Sequence, residues 1–372
     1  MKILHVESGR HLYGGAMQVL HLMDGLVRRG AHNLLACPRG SHIAERARAS
    51  ATVFELSMKG DVDVGLAFRL RRLITREQPD LVHIHSRRGA DLWGGTAALL
   101  AGVPCVLSRR VDNPEPRWLA AAKYPLYDHV VTISEGIRQV LLAQGVAPAQ
   151  LDCVRSAVDP KPYLIDYDKA GFRAALGLAP GTLVAGIVAQ LIPRKGHRHL
   201  LAALRDVLPR HPGLQVLIYG RGALEAELRT TIAEAGLARN VRLMGFVDNL
   251  PEVLGCLDLL VHPADLEGLG VSLLQASAAR VPIVASRIGG IPEAVRDGAN
   301  GILVEPGDVA GLAAAMNRLL DDAPLRARMG EAGRALMLRE FSVEAMCAGN
   351  LSVYRKVLSP QLTDAVAVGN LR

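Results

Sequence analysis

An α/β chain of two doubly wound parallel-sheet domains in tandem is predicted on three observations. At 372 residues the chain exceeds what one ordinary core holds and suits two domains of roughly 150 to 200 residues each. Short apolar runs bounded by turns alternate with segments of helical periodicity, the pattern of a parallel sheet covered by helices on both faces. That pattern breaks in a polar stretch, "DPKPYLIDYDKAGF", and then starts again.

The first series opens with a strand at Lys2 to Val6. After the loop "ESGRHLYGG", Val19, Leu22, Met23, Leu26 and Val27 fall at helical spacing and end in Arg28-Arg29-Gly30, a basic last turn closed by glycine. "NLLAC" gives a strand, "IAERARA" a helix, "TVFEL" a strand, and Val64 to Glu77 a helix. "DLVHIH", "PCVLS" and "HVVTIS" are further strands with helices between them. The second series runs from "VAGIVAQ" through a helix at His197 to Leu208, "LQVLIYG", a helix at Ala223 to Glu234, then "VRLMGF", "LDLLVHP", "PIVASR" and "GILVE". The boundary is expected near Tyr163, giving domains 1–163 and 164–341. No short-period repeat is present, which excludes a solenoid. A ligand is expected in the cleft between the domains, where the carboxyl ends of both sheets can face each other.

Composition narrows the function classes. Half of the residues are hydrophobic and 21% are charged, which excludes a disordered or collagen-like chain. Cys37, Cys105, Cys153, Cys256 and Cys347 are odd in number and contain no C-x-x-C pair, so neither a disulfide framework nor a zinc site is expected. "MKILHVESGR" is too short in its apolar part for a signal peptide, and "TAALLAGVPCVL" too short to cross a bilayer, so a cytoplasmic location is expected. Residues 1 to 164 carry 21 basic against 15 acidic side chains, a net of +6, out of +7 for the chain. A basic half meets an anionic partner. With only five Phe, seven Tyr and two Trp, stacking platforms for nucleic acid are not expected.

Several short stretches carry candidate chemistry. Gly220 and Gly222 follow a strand and precede a helix, as phosphate-approaching glycines do; Gly14 and Gly15 repeat the arrangement in the first half. For both pairs a plain strand-to-helix turn is an equal alternative. "QLIPRKGHRHL" puts Arg194, Lys195, His197, Arg198 and His199 at the start of a helix, where cations are electrostatically disfavoured unless they have a task. In "HPADLEGLGVSLLQASAARVPIVASRIGGIPEAV", Glu267 precedes Gly268 and Gly270, and the step to Gln275 is a little over two helical turns, so both side chains can line one edge of a pocket. The pair His83 and His85 is expected on opposite faces of its strand and therefore not to bind a metal. "DVD" at Asp61 to Asp63 is expected to cap a helix. In "LAFRLRRLITRE", Arg69, Arg71, Arg72 and Arg76 interleave with Leu66, Leu70, Leu73 and Ile74. This is a core helix with a basic outer face or one that lies on anionic lipid, with Trp118, Lys123 and Tyr124 nearby.

The ordered set "VAQLIPRKG", "IYGRGALE", "VRLMGFVDNLPEVL" and "LDLLVHPADLEGLGVSLLQASAARVPIVASRIGGIPEAVRDGANGILVEPGD" resembles the retaining glycosyltransferases of family 4, which have the GT-B fold of two facing Rossmann-like domains. The resemblance implies a nucleoside-diphosphate sugar held by the C-terminal domain and an acceptor held largely by the N-terminal one. It places Lys195 on the donor diphosphate, Glu267 on hydroxyls of the donor sugar, and backbone of Gly268, Leu269, Gly270 and Val271 on sugar and phosphate. Gly245, Phe246 and Val247 match the loop that receives the base, Gly15 the glycine loop near the phosphates, and the helix from about Ser342 to Leu358 the one that packs back on the first domain. Gly220 and Gln190 fall on the donor side, and Gly14, His85, Arg109 and Arg110 on the acceptor side.

Three positions depart from the family. Gln275 stands where a second glutamate usually meets the ribose, a change on the order of 1 kcal/mol. Gln190 stands where an arginine usually meets the diphosphate; Arg194, Arg198 or Arg287 are the available substitutes. Arg110 stands where a histidine usually lies near the reacting sugar, and would clamp an anionic group. The reading is a glycosyltransferase acting on a glycolipid, a lipopolysaccharide core or a related glycan, cytoplasmic and peripheral on the inner face of the cell membrane. It has no cofactor, no metal and no nucleic-acid partner. A degenerate sugar-nucleotide binder with little turnover and a sugar-nucleotide epimerase are the alternatives.

Overall fold

The computed structural model describes residues 1–12, 14–85 and 89–369, with side chains described as far as Ser359. The chain divides into two compact units, Met1–Ala157 with the segment from Val343 onward, and Val158–Ser342. The division thus falls a few residues before Tyr163, whose carbonyl accepts a hydrogen bond from Arg334 within the second unit.

The first unit is a seven-stranded parallel sheet. Its strands are β1 (Lys2–Val6), β2 (His32–Pro38), β3 (Thr52–Leu56), β4 (Leu81–Ile84), β5 (Cys105–Arg109), β6 (His129–Thr132) and β7 (Leu151–Cys153), in the order β3-β2-β1-β4-β5-β6-β7. Only β7 was not expected; "LDC" is too short to show a period of two. Side chains alternate strictly. Ile3, Leu81 and Val106 pack with Leu22, Leu26 and Tyr354 on one face, and Leu4, Val82 and Leu107 with Leu70, Ala97 and Tyr124 on the other. The closing helix, Val343–Gly369, runs further than expected and packs on the first face; a Cβ at Gly25 would land on Cys347 Sγ, so only glycine admits it this closely. Gln18 fastens the end of the unit, donating to Ala157 O at 2.6 Å and accepting from Ala157 N at 2.7 Å.

The second unit is a six-stranded parallel sheet of β8 (Val184–Val188), β9 (Gln215–Tyr219), β10 (Val241–Gly245), β11 (Leu259–His262), β12 (Ile283–Ser286) and β13 (Gly301–Val304), ordered β10-β9-β8-β11-β12-β13. Within each unit the direction of strand order reverses beside the first strand, between β1 and β4 and between β8 and β11. In doubly wound sheets the carboxyl ends at such a point are where ligands sit, because the flanking loops leave in opposite directions.

Candidate functional site

At the reversal in the second unit, the loop after β8 and the loop after β11 are knitted together. Asp265 N donates to Arg194 O at 2.9 Å, and the Asp265 carboxylate takes Arg198 at 2.8 Å and His199 at 2.9 Å. A Cβ at Gly196, where φ is +71°, would fall on the Pro263 carbonyl oxygen. Glycine there lets the two loops touch, and that contact sets Lys195 against Glu267.

Glu267 is the centre of the arrangement. Its Oε2 accepts from Lys195 Nζ at 2.5 Å and from His262 Nε2 at 2.9 Å, and its Oε1 from Gly268 N at 3.1 Å. Burial alone would raise the carboxyl, but the bond from His262 and the Lys195 charge overcome it and hold the group well below the ordinary carboxylate range. An acid held that strongly ionised is a hydrogen-bond acceptor and not a proton donor. Oε1 keeps capacity for a further donor such as a hydroxyl, and Lys195 keeps two of its three N–H bonds for an anion.

The remaining candidates of this unit flank the pair. The helix Val271–Ala278 starts after Gly270 (φ +82°), with Leu269 buried and Gln275 half-buried on its second turn. Gln190 is exposed. Gly220 and Gly222 are explained by packing: a Cβ on either would meet the carbonyl oxygen of Ala189 or Leu191 in the loop after β8. Gly245 (φ +71°) has open space above it, and the exposed Phe246 ring after it lies under the Arg221 guanidinium at 5.7 Å. Of the three arginines available in place of the one that Gln190 replaces, Arg287 is held by Asp297 and Glu305, and Arg198 by Asp265.

At the reversal in the first unit, Arg110, His85 and Gly15 come together. Arg110 Nη2 lies 3.4 Å from His85 Nδ1, and a Cβ on Gly15 would lie 3.9 Å from Arg110 Cδ; Gly14 opens the same helix, Gly14–Val27. Arg109 does not join them. Neighbours on a strand point to opposite faces, so Arg109, 2% exposed, turns into a buried charge cluster, donating to Glu115 Oε1 at 3.1 Å and Asn113 O at 2.6 Å. Lys123 at 2.5 Å and Tyr124 at 2.9 Å also donate to Glu115, so Arg109 and Lys123 belong to a buried charge cluster.

The same period of two corrects the expectation for His83 and His85. Two residues apart on a strand is one face, not two, and their ring centroids are 3.8 Å apart with His5 beside them. The three rings place nitrogens within 4.8 Å of one another. Asp63, expected as a helix cap, instead holds Lys59 N at 2.8 Å and Arg69 at 2.6 Å. Sequence reasoning also passed over His262; its signal was its place, the last residue of β11 and five positions before Glu267.

Residues 168–336 match the family described as "Glycosyl transferases group 1" and residues 13–161 that described as "Glycosyltransferase Family 4". The 2-deoxystreptamine glucosyltransferase of Streptomyces kanamyceticus is 31% identical over 79% of this chain and 81% of its own length. This chain belongs to glycosyltransferase family 4. A second relative of this glycosyltransferase, the lipopolysaccharide core biosynthesis mannosyltransferase of Rhizobium meliloti, is 29% identical over 59% of the chain and 66% of the relative. Among solved structures, Anabaena HepE in complex with UDP superposes with a TM-score of 0.85 at 20% identity, over 96% of this glycosyltransferase and 100% of that chain, which establishes the GT-B fold.

Proposed function

We propose that this glycosyltransferase moves a sugar, with retention, from a nucleoside diphosphate to a hydroxyl of a lipid-linked or lipopolysaccharide-type acceptor. The observation that carries the donor half is the Lys195–Glu267–His262 cluster: a carboxylate fixed in its charged form beside an ammonium that has donors to spare. Glu267 accepts from sugar hydroxyls and orients the ring. Lys195 offsets the charge that builds on the diphosphate as the glycosidic bond breaks, so no metal is required for that task. The departing phosphate oxygen takes the proton of the incoming hydroxyl on the same face, which gives retention. The UDP of the Anabaena structure supports a uridine donor as the first to try.

The acceptor half rests on the helix Gly65–Glu77. It buries Leu66, Leu70, Leu73 and Ile74, while Phe68 is 66% exposed next to the exposed Arg71 and Arg72; Trp118, on another helix of the unit, is 73% exposed. No helix among the described residues is long and apolar enough to cross a membrane. Exposed aromatic and cationic side chains suit an anionic membrane surface, and one relative is named for lipopolysaccharide core biosynthesis.

The test is a thermal-shift panel of UDP-, GDP- and ADP-sugars on wild type, Glu267→Ala and Gln275→Glu, followed by transfer assays with the stabilising donor. A donor that stabilises wild type and not Glu267→Ala is the expected result, with tighter binding in Gln275→Glu. Binding without transfer to any acceptor, soluble or in anionic vesicles, would leave a degenerate binder; transfer to aminocyclitols alone would remove the lipid-linked half.

A further inference from the structure

Behind Arg110 lies a chain of buried side chains whose hydrogen-bond directions are fixed at both ends. At the far end Asn33, 1% exposed, donates both amide hydrogens to backbone carbonyls, Met23 O at 2.9 Å and Ser50 O at 3.1 Å. A carbonyl only accepts, so the Asn33 amide orientation is set and its Oδ1 faces His5 Nε2 at 3.3 Å. The hydrogen of His5 therefore sits on Nε2. His5 is fully buried and neutral at physiological pH, burial holding it down at about 4, so its Nδ1 is a bare acceptor. That atom lies 2.9 Å from His85 Nε2, which must be the donor. His85 is kept neutral by burial and by the nearby His83, His5 and Arg110, so its Nδ1 carries a lone pair. Arg110, which only donates, sits at that lone pair.

We infer that His85, held in one tautomer by His5 and Asn33, positions the Arg110 guanidinium by accepting from its Nη2. A neutral acceptor fixes the group without cancelling its charge, as a carboxylate would, so Arg110 is oriented yet still able to take an anionic oxygen. Among the described residues, Glu7, Tyr354 and Ser108 adjoin the chain. Glu7 lies close enough to favour the charged guanidinium, with its Oε1 held by Gly9 N at 2.7 Å; Tyr354 and Ser108 occupy the two nitrogens of His83 at 2.6 and 2.9 Å. The nitrogens of His5, His83 and His85 thus each have a hydrogen-bond partner.

The consequence for transfer rests on the proposed function; the tautomers do not. Protein with 15N-labelled histidine and arginine, observed at neutral pH, should show His5 and His85 both neutral with hydrogen on Nε2, and slowly rotating Arg110 Nη signals. In His5→Leu the Nε2 hydrogen of His85 loses its acceptor, so the His85 Nε2 resonance should shift and, with the ring no longer held from behind, the Arg110 signals should average. His5→Gln, whose carbonyl can accept from His85, should restore both. With the donor found in the panel, kcat of His5→Leu should fall about 10- to 100-fold with KM unchanged, and His5→Gln should recover it. A wild-type His85 that is charged or protonated on Nδ1 overturns the inference without any variant. So do Arg110 signals indifferent to His5→Leu, or stoichiometric zinc uptake that His5→Gln abolishes. Expected tautomers together with full transfer by Arg110→Ala would uphold the chain and remove Arg110 from the reaction.

Discussion

Replacing Glu267 by Gln is the sharpest test of the donor-side cluster, because it changes charge and almost nothing in volume. The carboxylate accepts from Lys195 and His262 on one oxygen and from Gly268 N on the other. An amide has one carbonyl oxygen, so its NH2 must face either the Lys195 and His262 donors or the Gly268 N–H, donor against donor in both cases. Bonds to a charged partner are worth about 1.5–3 kcal/mol and a broken buried pair about 3–5; since the Lys195 and Glu267 side chains keep 12% and 14% exposure, the lower part of that range applies, about 2–3 kcal/mol. At about 2–4 °C per kcal/mol for a unit of this size, the midpoint of the second unit should drop by about 5–10 °C. The sign with pH follows from the direction of the shift. A carboxyl held below its ordinary 4.5 lends stability above that pH and loses it as pH falls toward the folded value, so the gap between wild type and Glu267→Gln should be full at neutral pH and narrow below 4.5. Differential scanning calorimetry across that range measures both. Equal midpoints at neutral pH, or a gap that ignores pH, would show that Glu267 is not held as an ion by its neighbours.

Three further outcomes follow from buried polar groups and close approaches. Gln18→Leu strips both partners from the Ala157 peptide groups and should lower stability by about 2–4 kcal/mol in urea titrations; an unchanged midpoint would mean that water replaces the clamp. Gly196→Ala should push the Lys195 loop off the Pro263 carbonyl and abolish the donor-induced thermal shift, while an intact shift would show that the loop contact is dispensable. His5 and His197, held at about 4 by burial, bind protons more readily when unfolded; each should contribute about 3 kcal/mol above pH 6.5 that is lost as pH falls toward 4, with His83 and His85 adding to the same slope. Urea midpoints that stay level from neutral to mildly acidic pH would contradict that.

The two sheets were legible in the sequence because buried parallel strands such as "LDLLVHP" and "PIVASR" are apolar runs that nothing but a strand between helices explains. The donor-side cluster was half legible. Lys195 and Glu267 stood out as charges beside glycines, but His262 ended an apolar run and looked like the rest of its strand. The glycines carry a demand that a sequence does not display. Gly220 and Gly222 have the look of phosphate contacts, yet what they accommodate is the backbone of Ala189 and Leu191, a demand that comes from a loop some thirty positions away. The family resemblance singled out Arg110 as the position of the family's histidine and left Arg109 beside it on the acceptor side, and it took the face of the strand to show Arg109 as part of a buried ion-pair cluster.

A common logic joins the two halves of the molecule. In each unit the strand next to the first one ends in a histidine, His85 just beyond β4 and His262 at the end of β11, and each contacts the charged group at the reversal point of its sheet. The histidines do opposite work. His262 donates and so stabilises an anion, Glu267; His85 accepts and so orients a cation, Arg110. A ring with one donor and one acceptor serves both, and which nitrogen faces the site is decided by what stands behind it. Behind His85 stands His5, whose tautomer Asn33 dictates; behind His262, the buried Nδ1 has no hydrogen-bond partner among the described residues. The donor-side histidine is therefore oriented by Glu267 itself. Removing that carboxylate should free the His262 ring to turn, whereas removing Arg110 should leave His85 where His5 holds it.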